Sequence, residues 1–425
     1  MRFTQVDDWL RWMETQHPRN IDLGLERIAV VARRLDISLN MPVITVAGTN
    51  GKGSCVALLS AILGADDYRV GAYTSPHINQ YHERIAIAGN YVDDASLCHA
   101  FAAIDDVRGE TSLTYFEFGT LAALLIFQQQ AVDVVLLEVG LGGRLDAVNI
   151  IDADVAIVSS IAIDHEAWLG TDREAIGREK AGIFRSARPA IIGEAISPQS
   201  LLDYGRQIDA ELIRRDQHFS VARNEVTWSW RGQKANGNPI SYADLPYPPL
   251  LLDNAATVLQ ALQYVSLPVS DAAIRRGLAT VSLAGRCQHL QYRGIDLVLD
   301  VAHNPASVQV LRDHLSANPI AGQTECIFAV MADKAIAEIV TILKPCFAHW
   351  HLTPLADNDR AAPPSSVQTL LQAQNIATVS LAASFTETLN TAVARLSAGD
   401  RLVVFGSFFT VAAAMTELAG KLSLE

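Results

Sequence analysis

The chain has 425 residues, of which half are hydrophobic and 19% are charged, so it is expected to fold into two globular domains. Its net charge is −13 and it contains no run of lysine or arginine, which disfavours nucleic acid as a partner. No apolar run is long enough to span a membrane, and acids and tryptophans occupy the place of a signal-peptide core. The five cysteines lack metal-ligand spacing, so we expect a cytoplasmic protein with free thiols.

Short apolar runs alternate with helical patterns along the first two-thirds of the chain. The runs are continuous rather than alternating, which is typical of strands buried on both faces of a parallel α/β sheet. Strands are predicted at Val43–Ala47, Val70–Tyr73, Val134–Val139, Val155–Ser159 and Ala190–Ile192. Helices are predicted at Ser54–Leu63, Phe118–Gln129 and Arg173–Phe184.

The pattern changes over residues 220–249, which are aromatic and rich in Gly, Asn and Pro. This composition predicts a β excursion, after which a helical pattern runs from Asn254 to Thr280. A first domain of residues 1–283 and a second α/β domain of residues 284–425 follow from this division. The second domain would alternate strands at 296–301, 326–331 and 401–406 with helices at Pro305–Leu315, Ala335–Leu343, Phe385–Arg395 and Phe409–Leu422.

The strongest local signal is Val43–Ser54, where a buried strand runs into a glycine-rich turn and then a helix. Backbone N–H groups in such a turn, together with the helix N-terminus, favour phosphate binding. Lys52 can reach the terminal phosphates, and the Ser54 hydroxyl can face magnesium. The spacing departs from the general P-loop, because only two residues separate Gly48 from Gly51. An ordinary glycine turn is the alternative, but the flanking strand and helix favour phosphate binding.

Polar residues also follow three other predicted strands. They are Ser75, Glu138 and the pair Asp164–His165. Because ligands of open α/β sheets bind outside the carboxyl ends of the strands, these residues are expected at one edge. A carboxylate and a hydroxyl suit magnesium, whereas histidine is a less usual ligand. The alternatives are that Ser75 caps a turn, that Glu138 pairs with Arg144 and that His165 is an ordinary loop residue.

A set of motifs runs in order from Thr45 to Pro305: TVAGTNGKGS, YTSPH, LTYFEFGT, LLEVGLGGRLDAVN, IAIDH, GREKAGIF and DVAHNP. With these motifs the sequence resembles the Mur ligase superfamily and, within it, the bifunctional bacterial folylpolyglutamate synthase/dihydrofolate synthase family. The compact glycine turn is the form this family uses. The resemblance implies a P-loop-type, mostly parallel sheet in an ATP-binding N-terminal domain and a smaller Rossmann-like C-terminal glutamate-ligase domain.

The resemblance also assigns roles to residues. The ATP contacts it implies are Thr49, Asn50, Gly51, Lys52, Gly53, Ser54, Asn254, Arg286, Asp300 and His303. The residues it places around two magnesium sites are Ser54, Ser75, Glu138, His165 and Lys180, and the catalytic set is Lys52, Glu138, His165 and Lys180. Lys180 matches a lysine that the family carries as a carbamate; unmodified, it would pair with an acid such as Glu179 or Glu174. A monovalent cation is a further implied ligand.

Two segments match the family's dihydropteroate site. They are Thr114, Tyr115, Phe116 and Glu117, and Leu145, Asp146 and Ala147. Phe116 could stack on a flat ring, and Glu117 could accept hydrogen bonds from ring and amino N–H groups. The alternative is that Tyr115 and Phe116 simply open a buried helix.

The function implied is an ATP- and magnesium-dependent ligase that activates a carboxylate as an acyl phosphate and joins it to L-glutamate. Dihydropteroate would give dihydrofolate, and reduced folates would gain glutamates, in a monomeric enzyme without membrane or nucleic-acid partners. Departures from the family pattern at Ala284, Cys287, Ala335 and Phe409 affect the domain junction and the glutamate site.

Other functions remain open from the sequence. One is a folylpolyglutamate synthase without the second activity. A cell-wall Mur ligase would ordinarily need an N-terminal domain for its UDP-sugar, for which residues before Gly48 leave little room. A P-loop kinase or GTPase would show the standard loop spacing, and a non-enzymatic α/β binding module is the last alternative.

Overall fold

The computed structural model describes residues 1–355 and 358–421; the predicted end of the last helix, Leu422, lies outside these ranges. The described chain forms two compact units. The first contains Met1–His77 and Tyr81–Ser282, and the second contains Ile78–Gln80 and the chain from Leu283 onward. The sequence predicted a boundary between residues 283 and 284, one residue later than the division between the two units. The prediction also placed Ile78–Gln80 in the first domain, whereas these residues group with the second unit.

The first unit is built on a mostly parallel sheet with strand order β4-β3-β2-β5-β1-β6-β7-β8. The strands are β1 (Val43–Ala47), β2 (Val70–Tyr73), β3 (Ile85–Ile87), β4 (Asn90–Tyr91), β5 (Val134–Glu138), β6 (Val155–Val158), β7 (Pro189–Ile192) and β8 (Glu211–Arg214). From β2 to β8 in this order neighbouring strands run parallel, whereas β3 and β4 pair antiparallel at one edge. The predicted α/β fold with a P-loop-type sheet is therefore confirmed.

Helices cover both faces of this sheet, which explains why β1, β5 and β6 are buried along their whole length. The helices are α1 (Val6–Met13), α2 (Glu26–Arg34), α3 (Lys52–Ala65), α4 (Asp94–Arg108), α5 (Tyr115–Gln129), α6 (Glu166–Leu169), α7 (Arg173–Ala181), α8 (Gln199–Gln207), α9 (Leu252–Leu262) and α10 (Asp271–Thr280). Short 3-10 helices lie at Tyr81–Arg84 and Ala147–Ile150. The predicted helices differ at their ends, since α7 stops at Ala181 rather than Phe184.

The segment predicted as a β excursion contains an antiparallel sheet in the order β11-β10-β9. Its strands are β9 (Ser220–Arg223), β10 (Thr227–Gln233) and β11 (Pro239–Pro246). It packs on the first unit through Trp228 and Trp230, which are both fully buried. The Trp230 indole N–H donates to the Ala256 carbonyl at 3.1 Å, which ties the excursion to α9.

The helical pattern predicted from Asn254 to Thr280 corresponds to two helices, α9 and α10, with a break between them. Pro268 lies in the break, where it lacks the N–H that a continuous helix requires. Ser270 then caps α10 by accepting a hydrogen bond from the Ala273 N–H.

The second unit is a smaller α/β sheet with strand order β12-β13-β17-β14-β15-β16, parallel except for β12. Its strands are β12 (Gln288–Tyr292), β13 (Ile295–Asp300), β14 (Thr324–Phe328), β15 (His349–Leu352), β16 (Val379–Leu381) and β17 (Arg401–Phe405). Its helices are α11 (Pro305–Ala317), α12 (Ile336–Leu343), α13 (Pro364–Ala373), α14 (Phe385–Arg395) and α15 (Phe408–Leu418), with a 3-10 turn at Lys344–Cys346. Sequence patterns missed β12, β15, β16 and α13, because these elements are short or carry many polar residues.

All five cysteines are free thiols, and three of them, Cys55, Cys98 and Cys326, are buried. Within the described ranges, no helix is both long enough and apolar enough to cross a membrane.

Helix α10 approaches α3 closely at Gly277, where a Cβ would lie 2.6 Å from the Ile62 Cα and 2.7 Å from its backbone N. Gly277→Ala should therefore lower the free energy of unfolding by about 1–3 kcal/mol, because the helices must separate. Gly64→Ala, in α3, is the control, since no described atom outside its chain neighbours and the nearby backbone of its own helix lies within 4 Å of its Cβ position. That variant should be unchanged or up to about 1 kcal/mol more stable. Urea unfolding of both would measure this, and equal stabilities would contradict the close helix packing.

Candidate active site

Neighbouring parallel strands bring the candidate residues to one edge of the first sheet. Val46 of β1 lies beside Glu138 of β5, and Ala47 of β1 lies beside Val158 of β6. Strand β2 lies on the other side of β5, with Tyr73 opposite Leu137. The loops that follow β1, β2, β5 and β6 consequently leave from the same carboxyl edge, as expected for a ligand site in an open α/β sheet.

The glycine turn after β1 is closely enclosed by its neighbours. Gly51 directly precedes α3 as its N-cap residue, with a positive φ of 85°, and a Cβ there would lie 2.7 Å from the Asn254 side-chain oxygen. At Gly48 a Cβ would lie 1.9 Å from the Ser159 hydroxyl. These two positions require glycine, which explains the motif on steric grounds.

Residues after β6 hold the shape of this turn. The Thr49 N–H donates to the Ser160 carbonyl at 2.8 Å, and the Asn50 N–H donates to the Ser160 hydroxyl at 3.1 Å. The hydroxyls of Ser159 and Ser160 both donate to the Asn50 carbonyl, at 2.7 and 2.9 Å. Sequence reasoning missed both serines; the signal was a pair of hydroxyl residues directly at the end of a buried strand.

Lys52 is the first residue of α3, and its ammonium group folds back over the turn. It donates to the carbonyls of Gly48 at 3.1 Å and Thr49 at 3.2 Å. Ser54, two residues further on, is buried at the helix N-terminus. A cation and a helix N-terminus therefore lie at the turn, where the sequence predicted phosphate binding.

Asn254, on α9, lies against Gly51 and is 6% exposed. Within the described chain its Nδ2 is buried without a hydrogen-bond partner. An unpaired buried donor costs about 1–3 kcal/mol unless a ligand satisfies it. A phosphate or nucleotide oxygen beside the glycine turn would do so, and the site therefore fits ATP.

Ser75 and Glu138 lie together after β2 and at the end of β5. The Ser75 N–H donates to Glu138 Oε2 at 3.1 Å, and Glu138 is buried. Arg144, the alternative partner of Glu138, instead forms an ion pair with Glu179 at 2.8 Å. The carboxylate is thus held at the sheet edge by the loop after β2.

Lys180, on α7, is 3% exposed. Burial, together with the nearby Lys52 cation, lowers its pKa to about 7, although Asp164 and Asp146 oppose the change. The acids considered as its partners are engaged elsewhere, since Glu179 binds Arg144 and Glu174 accepts the N–H groups of residues 199 and 200. Lys180 therefore lies among the charges of the site rather than in a surface ion pair.

Asp146 is buried in the glycine-rich loop after β5. Its carboxylate accepts the Leu141 N–H at 2.8 Å and the Val148 N–H at 3.1 Å, so it holds the loop and begins the 3-10 helix. Burial raises its pKa to about 6, although the backbone hydrogen bonds and Lys52 oppose the change. The sequence analysis also assigned Leu145 and Ala147 to substrate binding. In the structure Ala147 is buried and Leu145 is partly exposed.

His165 directly precedes α6 as its N-cap residue and has a positive φ of 53°. Its backbone N–H donates to Asp164 Oδ1 at 2.8 Å, and Asp164 is buried. The strained backbone at a position that is not glycine is typical of functional loops.

The donor set fits magnesium. In residues 1–355 and 358–421 no three His, Cys, Asp or Glu side chains form a complete metal site. Magnesium is usually bound by one or two carboxylates together with water and substrate phosphates, so a complete protein cage is not required. Glu138 and Ser75 carry hard oxygen atoms of the kind that magnesium prefers, at the same sheet edge as the glycine turn.

The predicted pterin segment begins α5. Thr114 and Glu117 form a capping box, in which the Thr114 N–H donates to Glu117 Oε2 at 2.7 Å. Glu117 Oε1 accepts from the Arg27 guanidinium at 3.2 Å, so both carboxylate oxygens have partners within the protein. Phe116 lies over Gly140, where a Cβ would be 2.7 Å from its ring. Tyr115 packs edge-on against the ring of Tyr81. The sequence analysis did not identify Tyr81 as part of this segment's surroundings.

Arg286, Asp300 and His303 lie in the second unit, around the carboxyl end of β13. Asp300 is buried and accepts the Cys287 and Ala302 N–H groups, each at 2.7 Å. The Arg286 guanidinium lies 5.1 Å from the Phe408 ring centroid, and His303 Nδ1 lies 2.8 Å from the Val301 carbonyl. Cys287 departs from the family pattern, and its thiol lies 3.3 Å from the Asp300 carboxylate. Burial raises the pKa of this thiol, and the negative charge of Asp300 raises it further.

Comparison with known proteins agrees with this arrangement. Residues 46–198 match the family model of the Mur ligase middle domain, and residues 285–408 match that of the Mur ligase glutamate ligase domain. Together with the glycine turn on a parallel sheet, these matches define a Mur-type ligase.

Comparison with curated relatives identifies the family within the Mur-type ligases to which this chain belongs. A dihydrofolate synthase/folylpolyglutamate synthase of Escherichia coli is 43% identical over 408 residues, covering 96% of this chain and 94% of the relative. The Haemophilus influenzae protein of the same name is 39% identical over 423 residues, covering 95% of each chain. This chain belongs to the dihydrofolate synthase/folylpolyglutamate synthase family.

Solved structures show the same fold. Escherichia coli FolC in complex with DHPP and ADP matches with a TM-score of 0.92 at 42% identity, over 98% of both chains. The bifunctional Yersinia pestis enzyme complexed with AMPPNP and Mn ion matches with a TM-score of 0.90 at 42% identity, also over 98% of both chains.

Asn254→Ala should weaken ADP binding by about tenfold, because a buried hydrogen bond to the nucleotide is worth about 1.4 kcal/mol. The free energy of unfolding should change by less than about 1 kcal/mol, since the amide Nδ2 has no partner to lose within the described chain. Titration calorimetry with ADP and urea unfolding would measure the two quantities. Asn236→Ala, an exposed change in the same unit, is the control, and unaltered ADP affinity in Asn254→Ala would contradict the assignment.

Proposed function

We propose that this protein is an ATP-dependent ligase that joins L-glutamate to dihydropteroate, forming dihydrofolate, and to reduced folates, forming folylpolyglutamates. The observation that supports the proposal is that the glycine turn, Ser75 and Glu138 follow neighbouring strands at one sheet edge, with the buried Lys180 near Lys52. Relatives that carry both activities in their names support it at 43% and 39% identity. Related structures bound to DHPP and ADP, and to Mn, AMPPNP and L-glutamate, support the substrate classes.

The first step activates a carboxylate, which resists nucleophiles because of its negative charge. Transfer of the ATP γ-phosphoryl group to a carboxylate oxygen gives an acyl phosphate and ADP. The N–H groups of the turn and the Lys52 ammonium would neutralise charge on the transferring group, so positioning and electrostatics provide most of the acceleration.

Magnesium would be held by Ser75 and Glu138, with Ser54 and His165 as further candidates. When bound, it supplies positive charge that polarises the phosphate oxygens. The buried Asn254 donor would bind the nucleotide on the α9 side of the turn.

The second step forms the amide. The glutamate nitrogen attacks the acyl carbon, a C–N bond forms, the C–O bond to phosphate breaks and a proton leaves the attacking nitrogen. Arg286, Asp300 and His303 of the second unit are the proposed contacts to the nucleotide from that unit. A dry site would protect the acyl phosphate from hydrolysis.

Lys180 is proposed to carry a carbamate. With its pKa near 7, a large share of the side chain is the neutral amine at neutral pH, and this form attacks CO2. The reaction gives a carbamate and releases one proton, which converts a cation beside Lys52 into an anionic oxygen ligand. This change would supply a second magnesium site and relieve the repulsion between the two lysines.

Dihydropteroate binding rests on the segments around Phe116 and Asp146. Phe116 offers a ring face beside the glycine loop that Asp146 holds, whereas Glu117 would act through its ion pair and capping box. A monovalent cation, a monomeric state and a location in a reducing cytoplasm complete the proposal; the free thiols support the last of these.

Phosphate release should require ATP, dihydropteroate and L-glutamate together. Lys52→Ala should reduce the rate by about 10²–10³-fold, because charge on the transferring phosphoryl loses its cation, and Glu138→Ala should have a comparable effect. Exposed Lys234→Ala and Glu110→Ala are matched controls that should retain wild-type rates. A phosphate-release assay would measure this, and turnover of a UDP-muramyl substrate instead of dihydropteroate would overturn the folate assignment.

The Lys180 carbamate should appear by 13C NMR in protein equilibrated with 13C-bicarbonate. Its signal should grow as pH rises through about 7, because the neutral amine forms above the lowered pKa and the ammonium below it. Lys180→Ala should lack the signal and lose activity, which added acetate should partly restore. An absent signal in the wild type, with Lys180→Ala still active, would favour an unmodified lysine.

A further inference from the structure

The loop that follows β6 lies directly against the glycine turn. Ser160 contacts the turn through both its carbonyl and its hydroxyl. The Thr49 hydroxyl donates to the Ala162 carbonyl and accepts the Ala162 N–H, both at 3.0 Å. Because these bonds fix residues 160 and 162 against the turn, the position of this loop sets the shape of the proposed phosphate site.

Ile161 lies between these two residues, and charged side chains bind both of its backbone polar groups. Its N–H donates to Glu194 Oε2 at 2.7 Å, and its carbonyl accepts from Arg173 Nε at 3.0 Å. Arg173 Nη2 donates to the Ile196 carbonyl at 2.7 Å and lies 3.5 Å from Glu194 Oε1. Ile161 is itself buried, so removing either side chain would leave one of its backbone groups without that partner.

These bonds connect three segments that are separate in sequence. Arg173 is the first residue of α7, and Glu194 lies in the loop after β7. Gly193 allows this loop to approach the end of β6 closely, since a Cβ there would lie 2.9 Å from the Ser159 carbonyl. Hydrogen bonds with a charged partner are stronger than those between neutral groups, so the two side chains restrain the loop after β6 firmly.

We propose that Arg173 and Glu194 are positioning residues for nucleotide binding. They fix Ile161 and, through the residues on either side of it, hold the glycine turn in the form that receives the ATP phosphates. The inference rests on the proposed function, which places these phosphates at the turn. Without the two side chains the loop can shift, and the N–H groups of the turn then no longer converge on one position. Binding would lose preorganised geometry rather than a direct contact.

Glu194→Ala and Arg173→Ala should each weaken ADP binding by about 3–10-fold in titration calorimetry, because the turn loses its support. Glu194→Gln should stay within about twofold of the wild-type affinity, since its amide oxygen still accepts the Ile161 N–H. Glu225→Ala and Arg206→Ala, exposed changes of the same residue types in the same unit, are the matched controls and should bind ADP like wild type.

Amide hydrogen exchange of residues 159–163 without ligand reports on the loop itself, and it should be faster in Glu194→Ala than in wild type or Glu194→Gln. Both alanine variants should remain folded, because the Arg173 and Glu194 side chains are 40% and 22% exposed and their truncation leaves no large cavity. Wild-type ADP affinity in either alanine variant, or an affinity in Glu194→Gln as low as in Glu194→Ala, would overturn this inference alone. Wild-type protein that does not bind ADP would overturn the proposed function as well.

Discussion

The parallel pairing of β1 between β5 and β6 is the constraint on which the candidate active site depends. Hydrogen bonds between these strands set Val46 beside Glu138 and Ala47 beside Val158, so the strands end together. The hydroxyls that follow β6 can then shape the glycine turn after β1. The carboxylate at the end of β5 lies beside the loop that follows β2. A shift of one residue in either pairing would turn these side chains to the other face of the sheet.

Buried charge is the second physical feature of the site. Lys180 and Asp146 are both buried away from water. Burial lowers the pKa of Lys180 and raises the pKa of Asp146, which favours the neutral form of each side chain. Such groups cost stability unless other charges compensate, and they concentrate where a protein binds or transforms ligands. Here Asp164 and Asp146 partly compensate the Lys180 cation, and Lys52 partly compensates the Asp146 carboxylate, whereas Lys52 and Lys180 repel each other.

Several residues that the family resemblance assigns to ligands also support the protein itself. Glu117 closes a capping box and binds Arg27, and Asp146 and Asp300 each hold a loop by accepting backbone N–H groups. Loops that must present rigid surfaces to a ligand require such support, since a carboxylate in a capped position loses little freedom on binding. A substitution at one of these residues is therefore expected to alter both the geometry of its loop and any direct contact that the residue makes with a ligand.

The sequence by itself determined the α/β class, the buried strands, the glycine turn with Lys52 and the motifs that place the chain in its family. These follow from local signals, because continuous apolar runs and glycine-rich turns have few other structural solutions. Only the tertiary structure decided the engagement of Arg144 by Glu179 rather than Glu138, and the support that two serines after β6 give the turn. Each of these depends on which distant elements pack together, and a linear pattern carries no direct record of that packing.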